Sequence, residues 1–439
     1  MIASTQKMMI TPLNQRSTYS FKNGNPIINF QIGRQDALVQ GKSVYFNFKL
    51  NVVGPVGMVP GNLPLPGVTA NTVVLMNERV DAWSIVDRLT ISEASRNAQI
   101  EGIRDVGRVL AAVRPASVSP LDYNSTLNNK TLSATRHFIT GNLLNNGSLD
   151  VSLRLADLSG FLDHGPIPLS QIPLNISLQL APDAQVLQVD PAHTGSQMTY
   201  SISDVTLTGD LLIPDADMAR KMAAQDEMAI TFDSYTNVYN VQNSTNQTTS
   251  LQLGLGAVKS VFTTLLPPDH QNNITVDSFD TPNFATGQPN EASTIDRVSF
   301  LRGSQNFPIV NELEVKEVSA ADNPLTPVIK HGLRSIGRWN ARLVRNTLMS
   351  PSTQCNVQSD VGFEGVPFSI LSDISCTERD PLQIYGCDMD SYSGAGLDFR
   401  GTTAGLRINM DETTPTGLHS TAIARHTLIA KGQQITVVS

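Results

Sequence analysis

The chain is poor in charge. Charged residues make up 16% of its 439 residues, whereas about 25% is usual for soluble domains. Such a low content fits a protein whose surface is largely covered by copies of itself. The formal net charge of −8 argues against a protein that coats nucleic acid, because coating requires a basic face that neutralises phosphates. We expect no recognition of a specific nucleic-acid sequence.

Cysteine is also scarce. The three cysteines, Cys355, Cys376 and Cys387, all lie in the second half and show no C-x-x-C spacing. This odd number and this spacing favour neither a disulfide framework nor a zinc site. A reducing compartment is the simpler interpretation.

Long apolar runs are missing. No segment approaches the roughly 20 apolar residues that a membrane-spanning helix requires, and the first ten residues lack the uninterrupted apolar core of a signal peptide. We therefore expect a chain that is made and folded in solution.

Phosphate-binding and metal-binding motifs are incomplete. The stretch from Gly254 to Lys259 begins like a phosphate loop but lacks the Gly-Lys-Ser/Thr ending, so it predicts a turn before a strand. Asp388 and Asp390 match the first two ligands of a calcium loop, yet Phe399 stands where the bidentate acid is required. The seven histidines contain no His-x-His pair. We expect no metal and no cofactor.

A catalytic triad is not indicated either. Asp157, Ser159 and His164 are close in sequence, but no nucleophile elbow surrounds the serine. We therefore expect that the protein is not an enzyme and that it has no catalytic residues.

The most informative feature is an internal repeat. The stretch from Val86 to Ile100 aligns without a gap with the stretch from Ile295 to Ile309. Each copy predicts a strand, a tight turn and a second strand. Because the period is about half the chain, the repeat indicates two copies of one domain rather than a solenoid. Identical residues occur at Asp87 and Asp296, Arg88 and Arg297, Ser95 and Ser304, Asn97 and Asn306, and Ile100 and Ile309.

Around each hairpin copy the pattern predicts β-strands with one inserted helix. Apolar residues alternate over 44–52 and 172–180, and their parity switches between Ile202 and Val205, as at a β-bulge. After the first hairpin, apolar spacing from Ile103 to Val113 predicts a helix that Pro115 ends. After the second, a helix is predicted from Ser335 to Leu348.

The predicted organisation has four parts. Residues 1–25 are polar without periodicity and predict an extended N-terminal arm, with a disordered terminus as the alternative. Residues 26–213 form a first β-domain, 214–229 a linker helix, and 230–439 a second β-domain. Seven or more strands with one helix per half indicate an all-β, jelly-roll-like architecture.

The predicted second helix carries the one electrostatic signal in the sequence. Arg338, Arg342 and Arg345 recur at the i, i+4, i+7 spacing of one helix face. This basic face is interpreted as solvated or in contact with another subunit. Contact with an acidic partner, lipid headgroups or a genome is the alternative.

Several short motifs carry a family resemblance. In order they are the segment from Gln99 to Asp105, Ser152-Leu-Arg-Leu, Ser159-Gly-Phe-Leu, Ile167-Pro-Leu and the strand beginning at Tyr200. Their order resembles the double jelly-roll major capsid proteins. These occur in adenovirus-like, polinton-like and related tailless icosahedral viruses, and in some membrane-containing phages.

The resemblance implies two tandem antiparallel eight-stranded jelly rolls with short inserted helices. It also implies a homotrimer of pseudo-hexameric outline that tiles an icosahedral virion shell and assembles in the host cytoplasm or nucleus. Implied partners are the same chain, neighbouring capsomers, and minor capsid and penton proteins. Contact of the N-terminal arm with an inner membrane is left open.

One alternative function remains at the level of sequence. A two-domain β-sandwich could be a glycan-binding module or a carbohydrate-active enzyme. The aromatic content of 6% and the lack of convergent acids weigh against it, because sugar sites use stacking rings and paired carboxylates.

Overall fold

The computed structural model of the chain describes most residues of both halves. The described residues are 2–53, 74–75, 80–117, 149–189, 199–225, 227–266, 272–274, 278–279, 295–307, 313–314, 332, 334–336, 384–390, 394, 396–410, 416–431 and 434–439. They form mainly antiparallel sheets with a few short helices. None of the helices in this part of the chain is long and apolar enough to cross a lipid bilayer.

The first half contains twelve described strands. They are β1 Ile2–Ile10, β2 Thr18–Tyr19, β3 Ile27–Ile32, β4 Leu38–Val53, β5 Val74–Leu75, β6 Val86–Glu93, β7 Gln99–Ile103, β8 Leu149–Arg154, β9 Pro166–Pro168, β10 Leu174–Leu180, β11 Gln188–Val189 and β12 Thr199–Pro214. The helices of this half are α1 Val106–Ser117, α2 Gly160–Asp163 and α3 Asp183–Val186, with 3₁₀ helices at Asp81–Ile85 and Leu155–Asp157.

A short helix leads into the second half, which contains ten described strands. The helix is α4 Ala216–Ala223. The strands are β13 Glu227–Gln242, β14 Asn246–Leu251, β15 Val258–Leu266, β16 Ile295–Arg302, β17 Gln305–Phe307, β18 Leu313–Glu314, β19 Tyr385–Asp388, β20 Ala404–Met410, β21 Thr416–Lys431 and β22 Gln434–Val438.

The first half is a jelly roll. Its sheet A has the strand order β1-β12-β4-β8, and its sheet B has the order β3-β10-β6-β7. If these eight strands are counted along the chain, the two sheets read 1-8-3-6 and 2-7-4-5, which is the jelly-roll connection. Strands β2 and β9 extend sheet A by pairing with β12 and β4, and β11 pairs with β5.

The second half repeats this connection strand for strand. Sheet C has the order β13-β21-β15-β19, and sheet D has the order β14-β20-β16-β17. Counted along the chain, these strands again read 1-8-3-6 and 2-7-4-5. Strands β22 and β18 add to sheets C and D by pairing with β21 and β16. The all-β, double jelly-roll architecture expected from the sequence is therefore confirmed.

The repeated hairpin lies at the same place in both jelly rolls. The first strands of the two copies, β6 and β16, begin and end at aligned residues. The turns differ, however, because Ser92 pairs with Gln99 whereas Arg302 pairs with Gln305 around Gly303, whose φ is +59°. The ungapped match therefore fails after the turn.

The identity between Asn97 and Asn306 shows this loss of register. Asn97 lies in the turn of the first hairpin, while Asn306 lies in β17. In the longer first turn the carboxylate of Glu93 accepts hydrogen bonds from the backbone N–H groups of Ser95 and Arg96, both at 2.8 Å.

The N-terminal segment departs from the expected arm. Residues 2–10 form β1, the edge strand of sheet A, and pair with β12. Tyr19 is buried, and its hydroxyl donates to the carbonyl of Asn14 at 2.9 Å. Most side chains of β1 are exposed, so this edge strand lacks the apolar alternation that reveals a half-buried strand. This segment belongs to the first jelly roll.

The helix after the first hairpin differs from its predicted bounds. Ile103 is the last residue of β7, and α1 begins at Val106. The helix continues past Pro115 to Ser117, because a proline in the last turn removes only one backbone hydrogen bond.

The bulge predicted in the last strand of the first half is confirmed. The pairing of β12 with β4 shifts between Ser203 and Thr206, and Asp204 has a φ of +50°. Helix α4 lies within the predicted linker 214–229, and the side chain of Asp215 at its start accepts a hydrogen bond from the backbone N–H of Met218 at 2.8 Å.

The contribution of β1 to stability can be measured with two adjacent methionines. Met8 is 8% exposed and Met9 is 73% exposed. We expect Met8→Asp to lower the free energy of unfolding by about 2 kcal/mol or more, because it buries a charge, and Met9→Asp to have little effect. Urea denaturation of both variants measures the difference. If both substitutions changed the free energy of unfolding equally and only slightly, residues 2–10 would be an arm that does not stabilise the first jelly roll.

Candidate functional site

Helix α1 lies between the two jelly rolls and is buried on both sides. Its residues Val106, Leu110 and Ala111 belong to the core of the first jelly roll. The opposite side packs on the outer face of sheet C, in a cluster with Phe262 of β15, and contributes Val109, Ala112 and Val113. Two apolar sides of one helix each require a packing partner. We call this contact region the junction.

Glu101 connects the two halves at the junction. It lies on β7 and is 3% exposed. Its carboxylate accepts a short hydrogen bond from the Ser159 hydroxyl, a bond from the Gly160 backbone N–H at 3.2 Å, and a bond from Ser234 of β13. Burial raises the pKa of Glu101, because the charged carboxylate loses water, and these hydrogen bonds offset part of that effect.

The motif Ser159-Gly-Phe-Leu is explained by the same contact. Ser159 accepts a hydrogen bond from the Leu162 backbone N–H at 3.1 Å and so begins α2. At Gly160 the two halves come so close that a Cβ atom would lie 1.7 Å from the carbonyl oxygen of Asp233. Phe161 then packs edge-on against Phe232 of β13, with 5.4 Å between the ring centroids.

A second contact runs from the second half into the first. Phe279 is 3% exposed and belongs to the core of the first jelly roll. Gly107 of α1 leaves space for it, because a Cβ there would lie 2.4 Å from Cε1 of the Phe279 ring. The Arg108 guanidinium donates to the Ser278 carbonyl at 3.0 Å and lies 6.0 Å from the centroid of the Phe279 ring.

A polar cavity of about 280 Å³ lies at the junction. The side chains of His419 and Tyr239 line its second-half wall, with 4.7 Å between their ring centroids. Burial, and then the positive charge of Arg108, hold the pKa of His419 well below its usual value. The described lining residues are Asp105, Arg108, Gln185, Tyr239, Asn272, Ser278 and His419.

Most residues considered from the sequence are placed by the structure. Asp157 pairs with Arg154, Ser159 bonds to Glu101, and His164 is exposed, so these three residues form no triad. The backbone N–H of Asp390 donates to the Asp388 carboxylate at 3.1 Å, as in an ordinary turn. Within the described ranges, no three His, Cys, Asp or Glu side chains come together as a metal site would require.

The predicted basic face cannot be compared with the structure. Arg338, Arg342 and Arg345 lie outside the described residues, and of the predicted second helix only Ser335 and Ile336 are described. Glu101 and His419 were not identified from the sequence. Glu101 gave one usable signal, since it is a lone acid within the apolar strand β7.

Comparison with solved structures places this architecture among known folds. The PBCV-1 protein VP54, as fitted into a cryo-EM reconstruction of the virophage Sputnik, is 10% identical with a TM-score of 0.53, covering 99% of this chain and 96% of VP54. A chain of the Sputnik virophage cryo-EM structure is 10% identical with a TM-score of 0.54, covering 99% of this chain and 88% of the Sputnik chain. The mavirus major capsid protein is 7% identical with a TM-score of 0.51, covering 98% of this chain and 89% of the mavirus protein.

Sequence comparison adds nothing to this similarity. No protein-family model matches the chain, and no curated protein matches it in sequence. At these identities the structural similarity establishes the fold, and the resemblance noted in the sequence is confirmed at that level.

Substitutions at two glycines test the close backbone approach at the junction. We expect Gly160→Ala to destabilise the chain by about 1–3 kcal/mol, because its Cβ would force the two halves apart. Gly33→Ala is the matched control, since a Cβ there meets no atom within 4 Å. Thermal unfolding of both variants gives the comparison, and an unchanged midpoint for Gly160→Ala would contradict the close approach.

The buried carboxyl gives a pH prediction. Because the pKa of Glu101 is raised in the folded state, its stabilising effect is present below the unfolded pKa, about 4.3, and is lost as pH rises through the folded pKa. We expect Glu101→Gln to gain stability relative to the wild type as pH rises from about 4 to 8.

Urea midpoints across this pH range measure the difference between the variant and the wild type. Glu227→Gln, at an exposed ion pair with Lys431, serves as the control. A difference that does not change with pH would show that Glu101 does not titrate as proposed.

Proposed function

We propose that this chain is a major capsid protein, a structural subunit that trimerises into pseudo-hexameric capsomers tiling an icosahedral virus shell. One observation carries the proposal. Two jelly rolls of identical connection lie in one chain and share a buried junction, and the chain resembles the mavirus major capsid protein over nearly its whole length. The proposed location is accordingly the virion. The proposed role is structural and not catalytic.

The junction supports a ring of jelly rolls. Within one chain, α1 of the first jelly roll covers the outer face of sheet C in the second. Sheet A is the counterpart of sheet C, so its outer face is the equivalent surface on the first jelly roll. A contact of this head-to-tail kind closes into a ring when the rotation allows it. With two jelly rolls per chain, three chains give a hexagonal outline.

The outer face of sheet A differs from that of sheet C in exposure. On sheet C, Phe262 is 1% exposed, because it packs with α1 and with Ile336 and Ile384 of its own half. On sheet A, Tyr45 of β4 is 36% exposed, and the next outward residues of the strand are Asn47 and Lys49. A large aromatic side chain with polar neighbours is the composition of an interface anchor with its rim.

We propose that a helix of the second jelly roll of a neighbouring copy covers the face around Tyr45. The sequence predicts that helix from Ser335 to Leu348, after the second hairpin and an inserted stretch, whereas α1 directly follows the first hairpin. Its basic face, Arg338, Arg342 and Arg345, would then contact the neighbouring subunit. Asp150 of β8 is exposed beside the same face and is a candidate partner for one of these arginines.

Further contacts belong to the same proposal. Neighbouring capsomers and minor capsid or penton proteins would use surfaces outside the ring contact. The exposed apolar side chains of Met9 and Leu13, at 73% and 61% exposure, mark the N-terminal edge as one such surface. An inner membrane is a second possible partner for that edge. The comparisons do not support the glycan-binding alternative.

Assembly state tests the proposal. Native mass spectrometry and light scattering should show a wild-type trimer, and Tyr45→Asp should shift it towards a folded monomer by at least about tenfold in the association constant, as loss of an interface anchor does. Gln31→Asp, at an exposed position of sheet B, should leave the trimer intact. A wild-type monomer that forms no particle would overturn the capsid function and favour the glycan-binding alternative.

A further inference from the structure

We propose that the second jelly roll of a neighbouring copy covers the exposed beginning of strand β1, and that it uses β17 and the turn from Asp390 to Gly394 for this contact. The contact rests on the proposed function, since it requires copies of the chain to associate. It repeats between two copies a contact that the two jelly rolls of one chain already make.

In the second jelly roll, the beginning of the first strand is covered by the first jelly roll. The core-facing side chains Ile230 and Phe232 of β13 belong to the apolar cluster of the first jelly roll. Phe232 contacts Phe161 of α2, and the next core-facing residue, Ser234, donates a hydrogen bond to Glu101 of β7. Helix α2 and strand β7 therefore cover this end of sheet C.

Strand β1 is the counterpart of β13 in the first jelly roll. Each is the first strand of its jelly roll and pairs with the last one. Because side chains alternate along a strand, Ser4 and Gln6 face the same side of the sheet as the buried Met8. Both are nevertheless exposed, so none of the described elements covers them. We call residues 2–7 of β1 the overhang.

An exposed strand edge favours association with another element. Its unpaired backbone N–H and C=O groups invite pairing, and proteins protect such edges with charged side chains or proline, or cover them. The overhang contains no proline and one charged residue, Lys7. The ammonium of Lys7 pairs with Asp210 on the neighbouring strand at 2.5 Å, which offsets its charge. Cover by another element is the protection that remains.

Strand β17 is the element of the second jelly roll that corresponds to β7. Each is the fifth strand of its jelly roll and lies at the edge of its sheet. Glu101 of β7 is bonded across the junction, whereas Gln305 and Asn306 of β17 are exposed. Their amides can donate and accept hydrogen bonds, as can the hydroxyl of Ser4 and the amide of Gln6 on the overhang. The two surfaces therefore match as uncharged polar groups.

The turn after β19 corresponds to α2, which follows β8, because β8 and β19 are the sixth strands of their jelly rolls. In α2 the backbone N–H of Asp163 donates to the carbonyl of Ser159 at 3.0 Å, and in the turn the N–H of Gly394 donates to the carbonyl of Asp390 at 2.7 Å. Helix α2 packs on β13, whereas Gly394 is exposed and a Cβ there would meet no atom within 4 Å. The approach to this turn is open.

The resulting contact is head-to-tail. It joins the β17 side of one copy to the overhang of the next, so it leaves a free surface of each kind until a ring closes. The face around Tyr45 lies on the outer side of the same sheet A. One neighbouring jelly roll would thus hold both sides of sheet A, as α1 and α2 of the first jelly roll hold both sides of sheet C.

The first experiment compares two exposed glutamines. Gln6→Asp places a charge where the contact would remove it from water, so we expect the association constant of the trimer to fall about tenfold or more. Gln31→Asp, the same substitution at an exposed position of sheet B, should associate like the wild type. Native mass spectrometry measures both. An unchanged trimer for Gln6→Asp would overturn this contact alone, whereas a wild-type monomer would overturn the capsid function with it.

The second experiment identifies the segments that meet. Photoreactive benzoylphenylalanine replaces Gln6, and isotope-labelled copies are mixed with unlabelled ones, so that a cross-link between copies carries both isotopes. We expect mass spectrometry to find position 6 of one copy linked to residues 305–307 or 390–394 of another. The same photoreactive residue at position 31 should give no such links. Links from position 6 to other segments, in a protein that is still trimeric, would overturn the contact and leave the capsid function standing.

Discussion

The structure depends on the burial of helix α1 on two sides. One side completes the core of the first jelly roll, and the other covers sheet C of the second. The exchange is mutual, because Phe232 and Phe279 of the second half belong to the core of the first. Removing either half would expose apolar surface of the other, so the two jelly rolls form one packed body rather than two linked domains.

The polar contacts of the junction determine the relative orientation of the two jelly rolls, which apolar burial alone does not determine. Hydrophobic contact has no preferred direction, whereas the hydrogen bonds to Glu101 and the close backbone approach at Gly160 each allow one arrangement. A buried carboxyl is expensive to desolvate. The hydrogen bonds of Glu101 connect β7, α2 and β13 and so fix the arrangement of these elements.

Much of this architecture was predictable from the sequence, because strands buried on one face must alternate. Apolar periodicity predicts the first strand of each hairpin copy, the bulge near Asp204 and the helix α4 that joins the two halves. Strand β1 was not predictable, since an edge strand with exposed side chains shows no such period. The role of Glu101 also escaped prediction, because it arises from contacts between residues far apart in the chain. The basic face at Arg338, Arg342 and Arg345 stays a prediction.

The pairing of first and last strands has an evolutionary consequence. In the first jelly roll, Ile2 lies opposite Pro214, and in the second, Glu227 lies opposite Lys431. The eight-stranded jelly roll therefore begins and ends at the same corner in both halves, and β22 then turns back along β21 in the second. Only the short stretch around α4 is needed to join one exit to the next entry. A tandem duplication of the gene for a single jelly roll could thus have produced a foldable two-unit chain in one step, without rethreading either sheet.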